Sequence, residues 1–288
     1  MKIIISPAKT MREDGETLPA RSLPVFEAEA ERVLRYLRSL RYEEQKELWA
    51  CSDKLCELNR GRLLAMDWLD GQAAEQAENG DASQATALPT TAPIAAGASR
   101  GSGLPLSQRT PALLAYEGIQ YQYLSPATLD EAALRYLETH LRILSGVYGV
   151  LRPFDGVVPY RLEMQAKAKI GSAKDLYAFW GGRLLEALRE DCRQTVIINL
   201  ASKEYAHAVE PYLSPEVTFV TCIFAESVKG KLRQKATAAK MARGEMVRWM
   251  AETGAETVEA LKKFDRLDYR FEAEQSGPTQ LVFVRRTE

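Results

Sequence analysis

The sequence predicts a mixed α/β protein that forms a single compact domain with a mixed sheet and surrounding helices. Residues 1–6, MKIIIS, contain a short apolar run that is typical of a strand. Residues 195–200, TVIINL, form a continuous run rich in β-branched residues, as in a central parallel strand covered on both faces. Segments with helical spacing of apolar residues alternate with these strand signals, so the 288 residues are expected to form one α/β domain.

Apolar periodicity predicts helices over residues 25–40 and 43–64, the second broken near Cys51 and restarted with Ser52 as N-cap. Asp175 is expected to cap a later helix. Strand signals predict β-hairpins near 226–230 and at the end of the chain.

The best-defined predicted helix covers residues 128–145. Thr128 and Glu131 match a capping box, and leucines at positions 134, 137, 141 and 144 supply an apolar stripe. This helix is expected to lead directly into the glycine-rich sequence that begins at residue 144.

Residues 72–109 differ in composition from the rest of the chain. Ala, Gly, Ser, Thr, Gln and Pro dominate, and no aromatic residue occurs. Such a segment has little apolar surface to offset the entropy of ordering, so it is predicted to be a flexible, low-complexity insertion within the domain 1–288.

Composition excludes several classes of function. No apolar stretch approaches the length of a membrane span, and the N-terminal apolar run is too short for a signal peptide, so a cytoplasmic protein without a membrane partner is expected. The four cysteines form no CxxC pair and only two histidines are present, so neither a metal site nor a cofactor is predicted. The net charge of −1 means that nucleic-acid binding would require a local basic patch.

One such patch is predicted at residues 229–248, where seven basic residues accompany one acid. Lys231, Arg233 and Lys235 alternate along a strand and share a face, while Lys240 and Arg243 lie one turn apart on a following helix. The two elements are expected either to line one basic groove or to form a solvated edge strand kept soluble by its lysines.

Residues 144–164, LSGVYGVLRPFDGVVPYRLEM, are the second candidate. A helix, a glycine turn and a short resumption resemble a helix-hairpin-helix element, in which Gly146 and Gly149 would expose backbone N–H groups to a phosphate. A glycine-closed helix end followed by an ordinary loop is the alternative. Arg152 and Arg161 lie beside prolines that stiffen the loop, an arrangement suited to binding an anion.

Two further polar segments follow predicted strands: residues 6–10, SPAKT, and residues 198–205, INLASKEY. Polar groups at the carboxyl ends of parallel strands often bind ligands, although Ser202 and Asn199 also suit helix capping and backbone hydrogen bonds. No HExxH or P-loop motif is present, so no catalytic residue is predicted; Asp53, Asp155 and Glu163 are possible acid/base groups.

Six blocks in order along the chain resemble the YaaA peroxide-stress protein family: ISPAKTM at 5–11, SDKL at 52–55, residues 144–164, KDLYAFWG at 174–181, INLASKEY at 198–205 and AAKMARG at 238–244. The chain departs from the family pattern at 118–121, which reads Gly-Ile-Gln-Tyr in place of Gly-Asp-Val-Tyr. The resemblance implies a bacterial protein that limits iron-dependent damage under hydrogen peroxide stress, with a positively charged cleft, a helix-hairpin-helix-like element and DNA binding by some members.

Carried onto this sequence, the resemblance implies a cleft that binds DNA phosphates without reading the base sequence, in duplex or distorted DNA. Tyr148, Tyr160 and Tyr205 are expected either to stack on bases or to pack in the core. The alternative function is an enzyme that acts on a phosphorylated or carboxylated small molecule in the same cleft; the non-enzymatic interpretation is the leading one. The predicted cleft residues are Lys9, Lys54, Gly146, Gly149, Arg152, Arg161, Lys240 and Arg243.

Overall fold

The fold is described from a computed structural model, over residues 1–14, 16–70, 104–190, 195–228 and 231–286. These residues contain twelve strands, of which eight form one sheet. In chain order the strands are β1 (Lys2–Ile5), β2 (Thr10–Met11), β3 (Thr110–Pro111), β4 (Tyr116–Glu117), β5 (Leu141–Ser145), β6 (Gly149–Leu151), β7 (Gly156–Val157), β8 (Thr195–Leu200), β9 (Val217–Val228), β10 (Lys231–Arg233), β11 (Tyr269–Phe271) and β12 (Gln280–Arg286).

Eleven α-helices accompany these strands within the described ranges. They are α1 (Glu27–Ser39), α2 (Tyr42–Trp49), α3 (Asp53–Leu64), α4 (Ala112–Ala115), α5 (Ile119–Leu124), α6 (Glu131–His140), α7 (Leu176–Trp180), α8 (Arg183–Arg189), α9 (Lys203–Ala206), α10 (Ala236–Thr253) and α11 (Val258–Leu261).

The large sheet has the order β11-β12-β9-β8-β1-β5-β6, with β10 paired to β9. Five adjacent strands are parallel: β12, β9, β8, β1 and β5. The other three strands pair antiparallel with a neighbour, β6 with β5, β10 with β9 and β11 with β12. This arrangement confirms the predicted mixed α/β class in one compact domain. It also explains the apolar sequences of β1 and β8, because both strands pair on two sides and are covered on both faces.

Several predicted elements are confirmed. Helices α1, α2 and α3 occupy the predicted regions, and α3 begins directly after Ser52. Asp175 caps α7, since its carboxylate accepts a hydrogen bond from the backbone N–H of Ala178 at 2.8 Å. Strand β10 pairs with β9, and β11 pairs with β12, as the two predicted hairpins require.

The predicted helix over residues 128–145 is wrong at both ends. Helix α6 is capped by Asp130, whose carboxylate accepts from the N–H of Ala133 at 2.8 Å, and not by a Thr128–Glu131 capping box. The helix ends at His140, and the next five residues are β5. The leucines at 141 and 144 therefore continue the apolar spacing of the helix but belong to a buried strand paired with β1 and β6.

The predicted helix-hairpin-helix element is a β-hairpin between β5 and β6. Ser145 pairs with Gly149, and the Ser145 hydroxyl accepts the N–H groups of Val147 and Tyr148 at 3.2 and 2.9 Å. Gly149 has φ +69°, and a Cβ there would lie 2.8 Å from the Trp180 ring. The turn is buried, and the N–H groups of the two residues after Gly146 bond to the Ser145 hydroxyl, so the turn does not present a row of free amides to an anion.

Residues 72–103 of the predicted insertion lie outside the described residues, as does Cys192. The end of that segment, residues 104–109, packs on the domain: Arg109 is buried and pairs with Glu27 at 2.7 Å. No helix in the described ranges is long and apolar enough to cross a membrane.

Candidate functional site

The polar segments that follow β1 and β8 meet at the carboxyl edge of the sheet. The two strands are adjacent and parallel, with Ile5 opposite Leu200 at their last residues. After β1 the chain continues towards β5 on one side, and after β8 it continues to β9 on the other. Connections that diverge in this way leave a crevice between the strand ends, which is where open α/β sheets bind ligands.

Hydrogen bonds fix the floor of this crevice. The Ser6 hydroxyl accepts the N–H of Ser202 at 2.8 Å and lies 3.2 Å from its hydroxyl. Tyr121, from α5, donates its hydroxyl to the Ser6 carbonyl at 3.0 Å. Asn199 accepts the N–H of Ala201 at 2.9 Å. Ser6, Ser202 and Asn199 therefore bond to the backbone and to one another, as the capping alternative predicts. These bonds fix the conformation of the loops that follow β1 and β8.

Two cations and one carboxylate lie above this floor. Lys9 Nζ is 2.7 Å from Glu163 Oε1, and Arg161 Nη2 is 3.9 Å from the same oxygen. The Arg161 guanidinium also reaches the Trp49 carbonyl at 3.4 Å and the Lys9 carbonyl at 3.5 Å. The Lys9 side chain is 63% exposed and that of Arg161 is 9% exposed. Glu163 thus occupies the position where an anionic ligand would meet both cations.

A second carboxylate, Glu204, adjoins this group at the start of α9. It accepts the N–H of Gln165 at 3.2 Å. Burial raises its pKa, and the neighbouring charge of Glu163 raises it further. The protonated form of Glu204 is therefore more favoured than that of a free glutamate. Sequence analysis missed Glu204, although its position four residues after β8 is a signal that could have identified it.

Arg243 lies on the flank of the crevice. Its helix, α10, packs against β9, and the side chain lies next to Cys222. Since Asn199 pairs with Thr221, Cys222 is level with Leu200, the last residue of β8. Burial lowers the pKa of the Arg243 guanidinium, and it makes no hydrogen bond or ion pair with any described residue. The residue is half-buried, and a partly desolvated cation without a counter-charge lowers stability.

The neighbouring helix carries a second unsatisfied donor. The amide nitrogen of Gln120 is buried and lacks a hydrogen-bond partner in the described part of the chain. Gln120 is on α5, where its backbone touches Gly244, the residue after Arg243. Two buried donors on adjoining helices thus lack acceptors, and an anion could accept hydrogen bonds from both.

Lys54 and Lys240 are exposed, and neither forms an ion pair with a described residue. Lys240 precedes Arg243 by one turn of α10. Lys54 is at the start of α3, a few residues after Trp49, whose carbonyl accepts from Arg161. Lys240 thus extends from the helix beside the crevice, and Lys54 from the helix that follows Trp49.

Arg152 lies at the opposite edge of the sheet. Strand β6 runs antiparallel to β5, so Arg152 follows β6 next to Arg142, near the start of β5. Its guanidinium lies 4.0 Å from Glu190 and lines a cavity of about 320 Å³. The structure therefore does not bring Arg152 together with Lys9 and Arg161, because residues 152–161 extend across the sheet from one edge to the other.

The basic segment 229–248 does not form one groove of free cations. Lys235 pairs with buried Glu226 at 2.6 Å, and Arg248 pairs with Glu252 at 2.8 Å. Arg233 is exposed on β10. Lys229 and the side chain of Lys231 lie outside the described residues. Of this segment, Lys240 and Arg243 are the cations placed on the helix beside the crevice.

The three candidate stacking residues, Tyr148, Tyr160 and Tyr205, are buried in the core. The Tyr160 hydroxyl bonds to Ser145 at 2.6 Å and to Tyr116 at 2.8 Å. The packing alternative is therefore the one observed. Within the described ranges, no group of three or more His, Cys, Asp or Glu side chains could hold a metal ion.

Comparison with known proteins identifies relatives along the whole chain. A family model described as peroxide stress protein YaaA matches residues 1–275. UPF0246 proteins from Pediococcus pentosaceus and Lactiplantibacillus plantarum are each 44% identical over 285 and 284 residues, covering 99% of this chain and 98% and 99% of theirs. A UPF0246 protein from Lachnoclostridium phytofermentans is 44% identical over 285 residues, with coverage of 99% and 96%. The chain therefore belongs to the peroxide stress protein YaaA family.

Proposed function

We propose that this peroxide stress protein binds a small anion, phosphorylated or carboxylated, in the crevice at the carboxyl edge of β1 and β8. The observation that carries the proposal is half-buried Arg243: its Nε is buried without a hydrogen-bond partner, and its guanidinium has no counter-charge in the described residues. A protein retains such a group at a cost to stability, and binding of an anion would offset that cost.

The other crevice residues have complementary roles in this proposal. Arg161 is held by the Trp49 carbonyl and presents a fixed fork of donors. Lys9 is exposed and can exchange Glu163 for a ligand oxygen. Glu204, whose pKa is raised, can donate a proton to the bound anion or to a leaving group. The crevice thus combines anion binding with an acid, as an enzyme acting on a small anion requires.

The proposal can be tested by calorimetric titration of the protein with nucleoside monophosphates, sugar phosphates and dicarboxylates. We expect at least one class to bind, and we expect Arg243→Met to weaken that binding about tenfold or more, since a charge-assisted contact is lost. Arg233→Met, at an exposed arginine on β10, is the matched control. Equal affinity in the wild type and Arg243→Met would reject this site.

The second candidate is binding of DNA, through which the protein would limit iron-dependent oxidative damage. It is favoured by the exposure of Lys9, Lys54 and Lys240, which extend from three different parts of the fold. Lysines that cover phosphates would also compete with iron cations for them. Three phosphate contacts predict a log–log salt slope of about −3 for duplex DNA.

Fluorescence anisotropy with duplex, mismatched and single-stranded DNA at two salt concentrations separates the two candidates. DNA binding requires a steep salt dependence and its loss in Lys240→Glu, a substitution at an exposed position that leaves the core intact. No binding at low salt would reject the DNA candidate. A small-anion site is expected to depend on salt much less, because its charges are partly buried.

A further inference from the structure

A cavity of about 320 Å³ opens at the amino edge of the sheet, opposite the crevice described above. It lies where β1 and β5 begin and α8 ends. Its volume is at the lower end of the range for small-molecule sites, so it suits a compact ligand. The residues that line it are Lys2, Ser22, Glu138, Thr139, Arg142, Arg152, Phe154 and Glu190.

Three cations converge on one carboxylate in this cavity. Glu190 receives Lys2 Nζ at 2.7 Å and Arg142 Nε at 3.1 Å, and a second Arg142 nitrogen also contacts it. Arg152 Nη2 lies 4.0 Å from the same carboxylate. Arg142 is 5% exposed. Three positive charges therefore surround one negative charge in a wall of the cavity that is partly shielded from solvent.

The second acidic residue of the lining does not remove this excess. Glu138 is paired with Arg21 at 2.7 Å. Arg21 also lies over the Phe154 ring, 3.8 Å from its centroid, so that it contributes another positive charge near the cavity. Counting also Asp155, which lies beside Arg152, four cations (Lys2, Arg21, Arg142 and Arg152) face three carboxylates, so the local balance favours an incoming anion.

Arg152 is presented to the cavity by a rigid loop. Its backbone N–H donates to the Asp155 carboxylate at 2.8 Å, and that carboxylate also accepts the Ser22 hydroxyl at 2.7 Å. Backbone bonds from Gly156 to Ser22 and from Arg21 to Phe154, at 2.8 and 2.9 Å, tie the loop to the preceding segment. The Arg152 guanidinium nevertheless makes no hydrogen bond with any described residue. A preorganised arginine with free donors is suited to bidentate contact with a phosphate.

We propose that the amino-edge cavity is a second anion site, which binds a phosphate group through Arg152, with Lys2 and Arg142 supplying the positive wall. The phosphate is either free inorganic phosphate or the phosphate of a small metabolite; a volume of about 320 Å³ accommodates both. This site does not depend on the crevice, because it uses other residues at the other edge of the sheet.

Calorimetric titration with inorganic phosphate, a pentose phosphate and the unphosphorylated pentose tests this proposal. We expect phosphate-containing ligands to bind and the free pentose not to bind. Tighter binding of inorganic phosphate would identify the free ion as the ligand, and tighter binding of the sugar phosphate would identify a metabolite. Arg152→Ala is expected to weaken binding about tenfold or more, since a charge-assisted bidentate contact is lost.

Arg135→Ala is the matched control, because Arg135 is an arginine of similar exposure, 62% against 56%, on α6. Because the crevice is also proposed to bind phosphorylated anions, the comparison is repeated in the Arg243→Met background, where the remaining phosphate binding is expected to be lost on Arg152→Ala. Absence of phosphate binding up to about 10 mM, or equal binding by the wild type and Arg152→Ala, would overturn the proposal.

Discussion

Arg243 shows how a single residue can be retained at a cost to stability. The residue is half-buried beside Cys222, and its guanidinium is unpaired within the described ranges. Replacing it by methionine removes the desolvated charge and keeps most of the packing volume. We therefore expect Arg243→Met to raise the free energy of unfolding by about 1–3 kcal/mol in urea denaturation without added anions.

The matched comparison is Arg142→Met. Arg142 is more fully buried than Arg243, and it is bonded to Glu190 and to two carbonyl oxygens. Removing it leaves buried acceptors without their donor, so a loss of about 3–5 kcal/mol is expected. If Arg243→Met destabilised the protein to the same extent, the Arg243 guanidinium would have to be compensated in the free protein, and the argument for an anion beside it would fail.

Asp155 makes stability depend on pH in a definite direction. Burial raises the pKa of this carboxyl from 3.8 to about 6. Between these values the folded protein retains the proton and the unfolded chain releases it. The stability associated with Asp155 is therefore full below about pH 4, falls as the pH rises, and is lost above about pH 6. The total change is on the order of 3 kcal/mol.

Asp155→Asn removes this titration. The variant is expected to become more stable relative to the wild type between pH 4 and pH 7, by about 3 kcal/mol in the free energy of unfolding. Urea denaturation at several pH values would measure this change. Other titrating groups contribute equally to both proteins and cancel in the difference. Wild-type and variant curves that ran parallel over this range would show that Asp155 does not titrate there.

Some site residues could be predicted from the sequence and others could not. Lys9 was found because polar residues directly after a β-rich run are expected at the carboxyl edge of a sheet. Arg152 and Arg161 are nine residues apart, and this proximity in sequence predicts a single site. The chain between them is extended, however, so that Arg152 lies at the amino edge of the sheet and Arg161 at the carboxyl edge. The role of Gln120 depends on contact between α5 and α10, which no local pattern encodes.

At the scale of elements, the change from helix to strand at residue 141 was the main feature missed. The leucine spacing continues from α6 into β5, so periodicity alone extends the helix. Pairing of β5 with β1 and β6 decides the conformation instead, because it satisfies the backbone of a fully buried segment. Strands β1 and β8 were predictable because their apolar β-branched runs agree with their tertiary environment.

The contact between α10 and α5 positions Arg243 and depends on one glycine. A Cβ at Gly244 would overlap the carbonyl oxygen of Gln120, a backbone atom that cannot rotate away. We expect Gly244→Ala to lower the free energy of unfolding by about 3 kcal/mol, because the two helices must separate. Thermal and urea denaturation would measure this loss.

Gly61→Ala provides the control at the same level of structure. Gly61 is in α3, and a Cβ there would meet no atom within 4 Å. Alanine is the better helix former, so this variant is expected to gain about 0.5–1 kcal/mol. Equal effects of the two substitutions would mean that close approach of α5 and α10 does not constrain position 244.

At the scale of the whole molecule, the sheet separates two clusters of positive charge. The crevice lies after the last residues of β1 and β8, and the Arg152 cavity lies before the first residues of β1 and β5. Four residues of β1 at about 3.3 Å each place the two edges on the order of 13 Å apart. With a net charge of −1, neither cluster dominates the long-range field of the protein.

This separation predicts that the two edges behave independently. In a double-mutant cycle of Arg152→Ala and Arg161→Ala, the changes in unfolding free energy are expected to add within about 0.5 kcal/mol, because the sites share no contact. Lys9→Ala and Glu163→Ala, whose charged atoms are 2.7 Å apart, are expected to couple measurably. A coupling between Arg152 and Arg161 above about 1 kcal/mol would show that the sheet links its two edges energetically, and the two anion sites would then have to be treated as one allosteric unit.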